Sequence, residues 1–426
     1  MAMDEFEATA ACAHRLDEDD PLASFRQQFH VPPGPYGGEQ IYFCGNSLGL
    51  MPRAASAAVQ EVLADWRDKA VAAHFDSEHP WMPYHEFVRE PLARLVGAGP
   101  DEVVAMNSLT ANLHLMMVSF YRPTRERHRI VIEKGAFPSD RYAVASQIAW
   151  HGFDPGESLV ELAPREGEHH LREDDIEQWL DDYGADVAMV LWPGVQYYTG
   201  QFFDLARITR AARRTGAVAG LDLAHAAGNL PLSLHDTSCD FAVWCSYKYL
   251  NSGPGAVAGC FVHRRHGERD LPRFAGWWGH DKATRFRMRP EFRPTPGADG
   301  WQLSNPPILS LAPLRASLEI FDEAGMEALR GKSLRLTGFL EFVLRERMGE
   351  AVEIITPPAP ASRGCQLSLR LRRGPGRVLF ESLAKHGVVC DWREPDVIRA
   401  APVPLYNRFS EVYRFVEILR GLLADA

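Results

Sequence analysis

Between residues 129 and 263 short apolar runs alternate with amphipathic stretches, and this alternation restricts the fold more than any other feature. "RIVIEK" (129–134), "SLVELA" (158–163), "VAMVLWPG" (187–194), "AVAGLDLAH" (217–225), "FAVWCSY" (241–247) and "AVAGCFVH" (256–263) have the length and content of strands. The stretch from Ser139, "DDIEQWLDDYG" (174–184) and "DLARITRAARRTG" (204–216) have helical periodicity, the last stopping at Gly216. Strands that are apolar throughout are covered on both faces. The pattern predicts an α/β fold with a mostly parallel sheet between layers of helices. "SAAVQEVLADWRDKAV" (56–71) is a helix ahead of it, and "TPGADGWQLSNPP" (295–307) is a loop behind it. Two long helices (310–325 and 326–349) follow. Then come "VEIITP", "QLSLRLR", a helix, "GVVCDWRE", "VIRAAP" and a helix from Ser410, a smaller α+β unit. The expected organisation is an N-terminal segment and helix (1–70), a large domain (71–305) and a small C-terminal domain (306–426).

Bulk properties exclude some functions. A net charge of −10 argues against nucleic acid or an anionic membrane as partner. No apolar run is long enough to span a bilayer. The acidic opening "MAMDEFEATAACAHRLDEDD" does not read as a secretory leader. Seven scattered cysteines without a CxxC pair read as reduced thiols, which points to the cytoplasm.

Ligands of open α/β sheets bind at the carboxyl ends of the strands. Here those ends carry Asp222 and His225, then Tyr247 and Lys248, and the segment "GVQYYTGQ" (194–201). A lysine directly after a buried strand is either a snorkelling or salt-bridged surface lysine, or an amine kept dry enough to form a Schiff base. Pyridoxal phosphate (PLP) enzymes pair such a lysine with an acid on the pyridine nitrogen. Asp222 suits that role, although alone it is equally a turn or cap residue. "NSLTANLHL" (107–115) places Ser108 and Thr110 at a helix start, where free N–H groups favour a phosphate and also suit a plain cap. Phe137 follows a strand end and offers a ring to stack on, or is simply core. "GPGAVAG" (253–259) leads into a strand and lacks dinucleotide-binding spacing. "EHH" (168–170) and "HRRH" (263–266) read as solvated loops, so no metal is expected.

Nine segments in order then carry a resemblance over nearly the whole chain: "GNSLGL" (45–50), "MNSLTANLHLMM" (106–117), "GAFPSDRYA" (135–143), "GVQYYTGQ" (194–201), "DLAHAAGN" (222–229), "CSYKYLNSGPG" (245–255), "AGWWGH" (275–280), "QLSNPP" (302–307) and "IRAAPVPLYN" (398–407). The chain resembles the kynureninases, PLP-dependent hydrolases with the aspartate-aminotransferase-like fold type I. The resemblance implies hydrolysis of L-kynurenine or its 3-hydroxy form to anthranilate or 3-hydroxyanthranilate and L-alanine, in tryptophan catabolism. It implies that Lys248 binds the cofactor covalently and moves protons, that Asp222 pairs with the pyridine nitrogen, and that His225 lies beside the ring. Leu109, Thr110, Ser139 and Tyr247 are implied at the phosphate, with Tyr247 also catalytic. Phe137 is implied to stack on the ring, with Asp140 supporting the site. Trp277 and Asn305 are implied to reach in from the second subunit of a homodimer. His74, Ser304 and Asn305 are implied at the aryl ketone end of the substrate, and Arg399 on its α-carboxylate. One departure is Pro193: many members have a serine there, so a donor is lost and no contact is expected from it. Two alternatives remain. One is a cysteine desulfurase-like lyase, which needs a mobile nucleophilic cysteine where Cys365 and Cys390 lie in or beside strands. The other is a PLP-binding protein without turnover.

Overall fold

A computed structural model describes residues 6–372 and 374–425. Its centre is a seven-stranded sheet: β1 (Val103–Ala105), β2 (Arg129–Glu133), β3 (Leu159–Leu162), β4 (Val187–Pro193), β5 (Val218–Asp222), β6 (Phe241–Trp244) and β7 (Gly259–Val262). The spatial order is β1-β7-β6-β5-β4-β2-β3. Strands β3, β2, β4, β5 and β6 run parallel, and β7 runs against both its neighbours. This is the expected α/β architecture.

The alternation of side chains across the pleat explains why the strands are apolar on both faces. Ile130 and Ile132 enter one core with Leu113, Met116 and Val144 of helices Leu109–Phe120 and Pro138–Trp150. Val131, Val190 and Leu221 enter the other, with Ile176 and Ile208 of helices Glu173–Tyr183 and Leu205–Arg214. The strand 241–247 anticipated from the sequence stops at Trp244. Beyond it the backbone folds back on itself: the Ser252 N–H donates to the Ser246 carbonyl at 3.1 Å, and the Ser246 hydroxyl donates to the carbonyl of Val257.

The second sheet contains β8 (Val352–Ile354), β9 (Leu367–Leu371), β10 (Asp391–Arg393) and β11 (Val397–Ala400) in the order β8-β9-β11-β10, all antiparallel. Its register sets Arg399 between Ser368 and Asp391. The N-terminal segment packs here. Cys12, Ala13 and Leu16 of helix Ala10–Glu18 share a core with Phe339 and Phe415, and Ile41–Tyr42 pairs with Val388–Val389. The Asp17 carboxylate accepts the Phe409 and Ser410 N–H groups at 2.6 and 3.2 Å, capping helix Phe409–Ala424. Conversely, helix Ile308–Ala324 packs on Arg53–Lys69 and into the large core. The chain therefore enters and leaves the large unit through the small one.

Candidate active site

The carboxyl ends of β2, β4 and β5, the loop after β6 and the starts of helices Leu109–Phe120 and Pro138–Trp150 enclose a cavity of about 210 Å³. Leu109, Thr110, Phe137, Ser139, Asp140, Asp222, His225, Tyr247 and Lys248 all line it, as the sequence led us to expect. The Lys248 Nζ lies 3.1 Å from His225 Nε2. Burial foremost, then the positive charge of Lys248, holds His225 well below the usual histidine range. Its imidazole is neutral and accepts from the lysine.

Asp222 and Asp140 divide one proton. Burial pushes Asp140 well above the usual carboxylate range, and the Asp222 charge adds to this. Asp222 is also raised by burial, but it is held back by a hydrogen bond from Asp140, by the Ala224 N–H at 2.7 Å and by Lys248. Of the pair, Asp140 is thus the carboxyl that favours the proton and Asp222 the one that favours the charge.

The two helix starts meet at their hydroxyls, with Thr110 Oγ1 2.8 Å from Ser139 Oγ. Their free first-turn N–H groups suit a phosphate. The Phe137 ring is 42% exposed in the cavity mouth, 5.9 Å from Lys248 Nζ, and meets the Tyr197 ring edge-on at 5.2 Å. Tyr247 is half-buried, and burial pushes its hydroxyl above the usual phenol range.

The Lys248 loop is braced by the segment 45–50. The Gly49 N–H donates to the Tyr247 carbonyl at 2.8 Å. A Cβ on Gly49 would stand 2.3 Å from the Lys248 carbonyl oxygen, so only glycine permits this approach.

Five expected residues do not reach this cavity. Arg399 is fully buried behind Tyr197: it donates to the Tyr197 carbonyl at 2.8 Å, pairs with Asp391 and leaves its Nε without a partner. Ser304 and Asn305 are exposed. Trp277 is 39% exposed and donates to the Arg285 carbonyl at 3.3 Å, and the His74 ring packs on Trp81 at 5.2 Å.

Pro193, which brings no side-chain donor, lines the cavity, because the β4–β5 register sets it beside Asp222. One expectation needs correction. "HRRH" is not a solvated loop: His266 is buried on Asp240 at 2.7 Å, and His263 gathers with His235 and the buried Glu102. The Glu102 oxygens already accept the Gly99 and Arg264 N–H groups, both at 2.8 Å, and His235 at 2.9 Å. That set is a hydrogen-bonded cap. Glu133 and Tyr197 line the cavity without having been singled out. A charged residue ending the apolar run "RIVIEK" was a legible signal for the first. For Tyr197 the sequence shows only that its segment follows a strand end.

Lysine at a strand end, a paired acid, a stacking ring and hydroxyls at two helix starts together fit PLP, and the architecture is that of fold type I. Solved structures agree on the fold. A cysteine desulfurase from Thermococcus onnurineus superposes with TM-score 0.75 at 17% identity, covering 93% of this chain and 99% of that one. A C-DES variant with glycine covalently linked to its PLP cofactor gives 0.77 at 18% identity, covering 93% and 98%. The family model for the kynureninase C-terminal domain matches residues 329–419. A kynureninase of Myxococcus xanthus is 59% identical over 98% of each chain. Another, from Stenotrophomonas maltophilia, is 62% identical over 94% of this chain and 95% of that one. The chain belongs to the kynureninase family.

Proposed function

We propose that this protein hydrolyses kynurenine-type substrates to an anthranilate-type acid and L-alanine with PLP held in the cavity at Lys248. The observation that carries this reading is the convergence of Lys248, neutral His225 and charged Asp222 in one wall. When bound, PLP supplies an electron sink for carbanion chemistry next to the substrate amine. Asp222 supplies the negative charge that a protonated pyridine nitrogen needs, and the proton on Asp140 keeps that charge on Asp222. Phe137 gives a ring face. Leu109, Thr110, Ser139 and Tyr247 take the phosphate. Lys248 is placed to take and return protons, with His225 accepting from its Nζ. The reaction adds one water: hydroxyl ends on the aryl carbonyl carbon and hydrogen on the alanine side chain. Arg399, whose fork suits a carboxylate, is engaged by Asp391 and the Tyr197 carbonyl outside the cavity, and has to leave Asp391 to hold the substrate carboxylate.

The remaining residues fit a homodimer. Trp66, Val71, Phe75, Trp277, Phe286 and Leu309 are all exposed, and a second copy of the chain is the partner proposed to cover such side chains. Trp277, Ser304, Asn305 and His74 lie outside the cavity of their own chain and are assigned to the neighbouring site. Seven free cysteines suit a reducing cytoplasm. No helix among the described residues is long and apolar enough to cross a membrane.

A desulfurase-like reaction is disfavoured by Cys365, which is fully buried and whose thiol burial pushes up to about 12. The test is borohydride reduction of the PLP-loaded protein followed by peptide mapping, with a kynurenine turnover assay. The label should sit on Lys248, and Lys248→Ala should lose both label and steady-state turnover. A label on another lysine with turnover intact would defeat the assignment.

A further inference from the structure

Glu133 ends β2 and lines the cavity, yet it is 4% exposed. A carboxyl buried at the end of an apolar strand is unfavourable unless something offsets its lost hydration. Among the described residues no cation does so. The groups that act on it are its own main-chain amide and the like-charged Asp222 and Glu161. Burial first, then those carboxylates, pushes it well above the usual range, so it stands as a neutral acid with an O–H to donate. Of the other polar groups of the cavity, Thr110 pairs with Ser139, Asp222 with the Ala224 N–H and Lys248 with His225 Nε2, while the buried His225 Nδ1 and Asp140 Oδ1 have no partner. On the neighbouring strand end Pro193 has no N–H and no side-chain donor. Glu133 thus adds a polar group to the cavity wall beside a strand end that offers none.

We propose that Glu133, on the cavity wall at the end of β2, is a contact residue of the bound molecule, its carboxyl donating a hydrogen bond to an acceptor oxygen in the cavity. That oxygen is either the ring oxygen of the cofactor or the ketone oxygen of the substrate. The inference rests on the reading that this cavity holds PLP. The borohydride label on Lys248 of the unaltered protein checks that reading first, and its absence would sink both.

The test compares Glu133→Gln, which keeps a neutral donor, with Glu133→Leu, which does not. PLP affinity is measured by spectral titration without substrate, then KM and kcat for kynurenine on the loaded protein. Glu133→Leu should weaken one of them about 10-fold, the size of a lost hydrogen bond, while Glu133→Gln stays within about 3-fold of the unaltered protein. A loss in PLP affinity assigns the cofactor oxygen. A loss in KM or kcat with PLP affinity unchanged assigns the substrate oxygen. No change in either, or equal losses in both variants, overturns the proposal. If Glu133→Leu fails to fold, the infrared difference between the unaltered protein and Glu133→Gln decides. A protonated carboxyl band at neutral pH supports the proposal, and its absence overturns it.

Discussion

Two carboxyls in one wall make different demands of the same substitution. Asp222 works as a charge, so Asp222→Asn removes what a pyridinium requires. We expect kcat to fall on the order of 100-fold. Asp140 works as a donor to Asp222 and already carries its proton. An asparagine amide also donates, so Asp140→Asn should keep kcat within about 10-fold. Steady-state rates of the two variants under PLP saturation check this pair. Equal losses would show that the hydrogen bonds and the Lys248 charge do not divide the proton between the two groups in this way.

At the scale of elements, the bracing of the Lys248 loop by the segment 45–50 makes its own prediction. Gly49→Ala drives a methyl against the Lys248 carbonyl and the Asn251 backbone. Overpacking of this kind costs about 1–3 kcal/mol, and here it falls on the loop that presents the amine. PLP uptake followed by absorbance should weaken about 10-fold or more while far-ultraviolet circular dichroism is unchanged. Uptake at the ordinary level would show that this contact does not set the lysine. The elements themselves were legible in the sequence. Apolar runs and helical periodicity located every strand of the large sheet from β2 to β7, because those patterns are local. So were the cavity residues on strand ends and helix starts, which topology alone brings together. What the sequence did not reveal depends on contacts between distant segments. Examples are the proton on Asp140, the entry of Pro193 into the wall, the burial of Arg399 on Asp391, and the packing of the first helix with the last.

For the whole molecule, the proposed homodimer with shared sites predicts complementation. Lys248→Ala and Trp277→Ala should each be inactive. After proven subunit exchange, a mixed dimer holds one site with neither lesion, so up to about half of its sites regain function. No recovery would mean that Trp277 serves its own chain. The capping of the last helix by Asp17 has a different consequence. Its partner Phe409 lies 392 positions along the chain. At about 5–20 residues per second of synthesis, the first helix waits roughly 20–80 s before its binding surface has been made. Closure of the small core over Cys12 and Leu16 therefore has to wait for the synthesis of helix Phe409–Ala424.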